Sequence, residues 1–172
     1  MGDIKTKKVC SFTVSSIHFS IMILPYINKE LDEEKNIITL LEGNLEQNIK
    51  QVLSKISLNN DAKEKIININ WKSAKLENGS IEKKIKKLLT EEKDLSIIIY
   101  GSENYISNAN ETINKIMKNI KNTKNMIVKI INCYKVNDFK ENIREILDNH
   151  DAIFNTSGEH KKEDIFEGYF SA

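Results

Sequence analysis

A chain of 172 residues that is 40% apolar and 30% charged is long enough to bury about 70% of its unfolded surface, which excludes a disordered class. Its 26 basic and 25 acidic residues leave a net charge of +1, which excludes a global attraction for nucleic acid or anionic lipid. Two cysteines, Cys10 and Cys133, exclude a disulfide framework and fit reduced thiols.

Short β-branched runs alternate with helical ones along the chain. Residues 8–14 predict a first strand, and Ser15 or Ser16 then caps a helix over 17–31, with a kink or break expected at Pro25. The apolar stretch 17–27 is too short to span a bilayer. Residues 36–42 form a continuous apolar strand that Gly43-Asn44 closes, and 45–56 follow as an amphipathic helix. Alternation over 65–71 predicts a third strand, and Ile81, Ile85, Leu88 and Leu89 mark a helix at 80–90. A strand at 95–100, a helix at 105–121 and a strand at 126–134 come next. Asp138 caps a helix reaching residue 148, and 152–155 form a short sixth strand. This order predicts an α/β fold of three layers: a mostly parallel sheet with helices on both faces. The expected organisation is one domain over residues 1–158 and a polar C-terminal tail over 159–172 that carries an exposed His160.

Ligands of open α/β sheets bind beyond the carboxyl ends of the strands, which directs attention to the loops after each predicted strand. After the first strand the sequence is Val14-Ser15-Ser16-Ile17-His18, with no glycine-rich phosphate loop and no Walker A lysine. The G-x-G-x-x-G, G-x-S-x-G, C-x-x-C and H-E-x-x-H patterns are also absent from the sequence, which argues against the common enzyme classes. The chain is therefore expected not to be an enzyme.

His18 falls in the first turn of a helix, where the macrodipole favours a neutral imidazole able to meet a ligand or a metal. Its alternative role is a half-buried histidine bonded to the local backbone. Cys133 ends an apolar strand beside Tyr134 and reads as a ligand, a redox group or a small core residue. His150 ends the following helix, where a capping role is natural. A regular parallel sheet would carry it to the opposite edge, far from His18 and Cys133. Richness in Ile, Lys and Asn reads as coding bias. The lysines of residues 81–87 read as a solvated helix face.

The run Ser16-Ile17-His18-Phe19, the strand Ile37-Ile38-Thr39-Leu40-Leu41, Asn132-Cys133-Tyr134, Phe139 and Ile146-Leu147-Asp148-Asn149-His150 together resemble a MEDS domain. This is a sensory module of bacterial signal-transduction proteins such as the dichloromethane-responsive regulator. The resemblance runs from the first strand to about residue 158. Asp151 stands where the family commonly has proline, and the glycine that commonly precedes the early histidine is absent. The resemblance implies a KaiC-like fold without a phosphate loop, and a domain that senses small organic molecules. It makes Ser16, His18, Cys133, Tyr134 and His150 the candidate ligand-binding residues, with His18, Cys133 and His150 as candidate metal ligands. No cofactor is evident beyond a possible metal ion. The implied partners are a small organic ligand and a histidine kinase or transcription regulator, with no nucleic acid and no membrane. The expected location is cytoplasmic: residues 1–8 lack the apolar core of a signal peptide. The alternatives are a protein-interaction scaffold and a degenerate nucleotide-binding hydrolase. The apolar segment 166–170 suits docking on the domain or on a partner.

Overall fold

In the computed structural model, which describes residues 4–76, 79–120, 125–136 and 143–165, the first strand, β1 (Ile4–Thr13), begins earlier than residue 8. Its added residues pair in parallel with the start of a later strand, Ile4 opposite Met126. Next comes α1 (Ser16–Asp32), capped by Ser15, whose Oγ accepts the His18 N–H. Pro25 does not break this helix. Proline lies on its exposed side, so the carbonyl that loses a helical partner is open to water.

The chain continues through β2 (Asn36–Leu41), α2 (Glu46–Leu53) and α3 (Asn60–Ile67). The expected strand at 65–71 is not one. Asn59 Oδ1 accepts the Ala62 N–H at 2.7 Å and starts a helix that carries Ile66 and Ile67. The Trp71 indole N–H then donates to the Ile66 carbonyl at 2.8 Å and closes the turn. Alternation in Ile66–Trp71 therefore reflects a helix end and a buried tryptophan. The following segment shields the edge of β2: Thr39 Oγ1 donates to the Asn70 carbonyl, and the Ala74 N–H donates to the Leu41 carbonyl at 2.9 Å.

After α4 (Ser80–Leu89) come β3 (Leu95–Gly101), α5 (Glu103–Lys118) and β4 (Met126–Lys135). The last elements are α6 (Ile143–Asp148), β5 (Ala152–Asn155), β6 (Gly158–His160) and α7 (Lys162–Ile165). The expected cap at Asp138, the family-like Phe139 and the apolar segment 166–170 lie outside the described residues. In the stretch read as polar tail, β6 pairs antiparallel with β5, and His160 Nε2 hydrogen-bonds Ser157 Oγ at 2.6 Å.

The six described strands form one sheet in the order β2-β3-β4-β1-β5-β6, parallel except for β6. Helices cover both faces, giving the three-layer α/β architecture. On one face α1, α2 and α3 pack over Val9, Leu41, Ile98, Ile131 and Cys133. On the other, α4, α5 and Leu147 of α6 cover Cys10, Leu40, Ile99, Ile130 and Tyr134. The connection after β1 runs away from β5, and the one after β4 runs towards it, so these neighbouring strands form a switch point.

Glycine is required where β3 enters α5. A Cβ on Gly101 would stand 2.8 Å from Tyr105 Cδ1 and 2.9 Å from Glu42 Cβ. Both neighbours are held: Tyr105 by its hydroxyl donating to the Ala74 carbonyl, Glu42 by Ser102. Gly101→Ala should lower the unfolding free energy by about 1–3 kcal/mol in urea titration, the typical cost of overpacking.

Candidate functional site

Strand β4 alternates its side chains between two cores, and this alternation builds the site. Ile131 and Cys133 face α1, while Ile130 and Tyr134 face α5. Asn132 shares the α5 side and is 2% exposed, with Ile99 and Cys10 as its cross-strand neighbours. An amide between two apolar side chains needs partners of its own, because an unmet buried polar group costs about 1–3 kcal/mol.

It finds them on both sides. Asn132 Nδ2 donates to His150 Nε2 at 2.9 Å, and Asn132 Oδ1 accepts from Asn110 Nδ2 at 2.9 Å. His150 Nδ1 meets the carbonyl of Ile146. That carbonyl only accepts, so the imidazole proton sits on Nδ1 and Nε2 is an acceptor. The donors therefore run one way, from Asn110 through Asn132 and His150 to Ile146. His150 is 6% exposed. Burial pushes its pKa down, against the opposing pull of the Ile146 carbonyl, and keeps the ring neutral.

The row floors a groove of 420 Å³ between α5 and α6. Tyr134 stands edge-on to the His150 ring, with centroids 6.1 Å apart, and stacks on Phe12 at 5.8 Å. Asn114 and Ser107 extend the polar wall along α5, and Asn149 extends it after α6. Lys8, Glu103, Glu111 and Glu145 contribute charges of both signs to the lining.

Of the residues singled out in the sequence, Tyr134 and His150 meet here. Cys133 does not, since the period of two turns it to the opposite face, where it is fully buried. Ser16 and His18 are half-buried in the first turn of α1, which covers that same opposite face. The Ser16 carbonyl accepts from Ser20 Oγ at 2.8 Å and the Ser16 side chain meets the Tyr100 hydroxyl, while His18 Nδ1 accepts the Val14 N–H at 3.1 Å. Thus His18, Cys133 and His150 do not converge. Among the described residues, no three His, Cys, Asp or Glu side chains gather as a metal would require.

His150 also departs from its expected position at the far edge. Strand β5 begins opposite Val9, midway along β1, so α6 returns the chain only to mid-sheet height. Sequence reasoning missed Asn110 and Asn132, because asparagine richness read as compositional bias. One signal was present: Asn132 interrupts the run Ile130-Ile131-Asn132-Cys133, where an amide has to be buried.

The carboxyl edge of the sheet is braced. Glu42 accepts the Ser102 N–H at 2.8 Å and lies 3.9 Å from Lys135 Nζ, which donates to the Glu42 carbonyl at 3.0 Å and sits over the Tyr100 ring. These contacts join the ends of β2, β3 and β4.

Two measurements check this electrostatic picture. A histidine with a depressed pKa binds its proton more readily when unfolded, so its contribution to stability is full above about pH 6.5 and falls on acidification below it. Urea unfolding should show that loss between pH 7 and pH 5, and His150→Gln should flatten it. The thiols give the second test. Burial pushes Cys10 up to about 12 and Cys133 higher still. Neither should react with a chromogenic disulfide reagent except at the rate of unfolding; prompt native labelling would contradict the geometry.

No family model, no curated protein and no solved structure matches this chain.

Proposed function

We propose that this chain is a non-catalytic sensing domain that binds a small, uncharged, polar organic molecule in the groove between α5 and α6. The observation that carries the reading is the buried row Asn110–Asn132–His150 on the groove floor. Folding alone is served as well by three apolar residues here, since the surrounding core is Ile, Leu and Tyr. A directed row of amides and a neutral imidazole instead offers a ligand both donors and acceptors without a net charge. Asn110 Oδ1 has only a long 3.5 Å contact with Asn132 Nδ2, so it suits a ligand N–H or O–H.

The same geometry speaks against catalysis by these groups. Both thiols are buried, and both nitrogens of His150 are already engaged. A ligand that bridges α5 and α6 acts instead on the position of α6, whose described residues bury only Leu147. Binding that favours one placement of α6 over another shifts the population of the domain. The output that reads this shift is a linked or partner histidine kinase or transcription regulator, in keeping with the MEDS-like sequence features.

A titration of the labelled protein with small amides, ureas and short alcohols, followed by amide NMR, tests the reading. Binders should perturb Asn110, Asn132, Tyr134 and His150 together, and Asn110→Ala should weaken them by about tenfold, the worth of one hydrogen bond. A panel without binders, or binders whose shifts map elsewhere, sinks it.

A further inference from the structure

The opposite sheet face carries a second cleft with a different chemistry. At the amino end of that face, one register row runs Ile37, Ser96, Lys129, Lys7 across β2, β3, β4 and β1. Lys7 and Lys129 are direct cross-strand partners, and like charges so placed repel. Glu159 of β6 reaches both, with Lys129 Nζ 3.3 Å away and Lys7 closer still. Lys129 has a second carboxylate, Glu30 of α1, at 3.9 Å. Glu30 is 2% exposed and is held by Lys35 at 3.4 Å and Ser96 Oγ at 3.2 Å.

Burial alone would raise the pKa of Glu159, but the Lys7 hydrogen bond and the Lys129 charge outweigh it and hold the carboxyl below its usual range. The ionised side chain is thus the clamp of the hairpin it belongs to. The strand pairing of that hairpin is light, although Ile153 and Phe154 are buried: β6 pairs with β5 alone, and β5 meets β1 over two register pairs. Beside the clamp lies a cleft of 510 Å³ between α1 and the hairpin, within the usual size of small-molecule sites. Met22, Pro25, Tyr26 and Phe154 give it an apolar wall. Its charged lining is Lys29, Lys35 and Lys129 against Glu30, Glu33 and Glu159, three of each sign. With Glu159 withdrawn, the cleft keeps an unmatched positive charge beside Lys7.

We propose that this cleft binds a small monocarboxylate with an apolar body, whose carboxylate displaces Glu159 from Lys7 and Lys129 and releases the β5–β6 hairpin. Glu159 is then a tethered stand-in for the ligand, competing at the high effective concentration of an intramolecular group. The apolar body lies against Tyr26 and Phe154, and Glu30 stays in place to hold Lys129. This site is separate from the groove at Asn132, so either stands without the other.

Hexanoate and benzoate are the probes, titrated into the whole chain by calorimetry and followed by amide hydrogen exchange. Removing the internal competitor in Glu159→Gln should tighten binding of at least one probe by about tenfold, as a binding-competent fraction near one in ten requires. Lys129→Gln should abolish binding, and 1-hexanol should not compete. In the unmodified chain, the bound probe should speed exchange of residues 153–160 while the Asn110 and Asn132 resonances stay in place. Equal affinity in a folded Glu159→Gln, competition by hexanol, or an unchanged hairpin in the probe-bound chain overturns the proposal. So does the absence of binding by either probe to Glu159→Gln.

Discussion

A single buried amide on a central strand constrains most of what surrounds it. Asn132 occupies a position where its cross-strand neighbours are Ile99 and Cys10, and only 2% of it is exposed, on the groove floor. Its two polar ends therefore dictate a donor from α5 and an acceptor beyond α6, which Asn110 and His150 supply. Those two bonds fix the rotation of α5 about its axis and the point at which the chain leaves α6. Moving either helix would stretch these bonds and leave a buried amide group unmet, so the network couples the placement of α5 to the end of α6.

The period of two along β4 then separates chemistries that lie side by side in sequence. Asn132 and Tyr134 serve the α5 side, while Cys133 between them belongs to the α1 side with Val9 and Phe19. A thiol so enclosed is a small apolar residue in practice. Ser11 pairs with Cys133 and its hydroxyl donates to the Met22 sulfur, so β1 and β4 meet α1 here through short side chains. These short side chains let α1 come close enough for Phe19 to stack on Tyr100 with centroids 4.3 Å apart.

The fold class was legible because the β2 and β3 segments are nearly continuous apolar runs, as parallel strands covered on both faces are; β3 is central as that pattern suggests, whereas β2 lies at the sheet edge, shielded by residues 70–74. A serine cap was legible for an equally local reason, two hydroxyls just before Ile17 at the start of an apolar-periodic helix, and the structure selects Ser15 of the two. Residues 65–71 misled because Ile67, Ile69 and Trp71 are apolar at the spacing of a strand face, and Asn59, which starts the helix instead, lies outside the window. The site was legible only in part. Tyr134 and His150 stood out by type, but their meeting depends on β5 starting opposite the middle of β1, a register that no local pattern encodes. Asn110 lies 22 residues from Asn132 across a helix-to-strand connection, and its partner is set by tertiary packing alone. The same holds for Glu159 on Lys7, 152 residues apart.

The two ligand sites proposed on opposite faces of the sheet would share a mechanical end. His150 leads directly into β5 through Asp151, whose N–H donates to the Lys8 carbonyl at 2.8 Å and whose carboxylate accepts the Lys8 N–H at 2.9 Å. This bracket fastens the joint between the Asn132 network and the hairpin to the middle of β1. A ligand that moves α6 loads the bracket from one side, and a carboxylate that frees Glu159 unloads the hairpin from the other. Both act on β5, the strand with the shortest pairing to its parallel neighbour among those described. A strand with so short a parallel ladder, set between two clamps, is the element of this sheet on which such ligands would act. The long β1–β4 and β3–β4 ladders instead form the rigid frame against which such a movement is read.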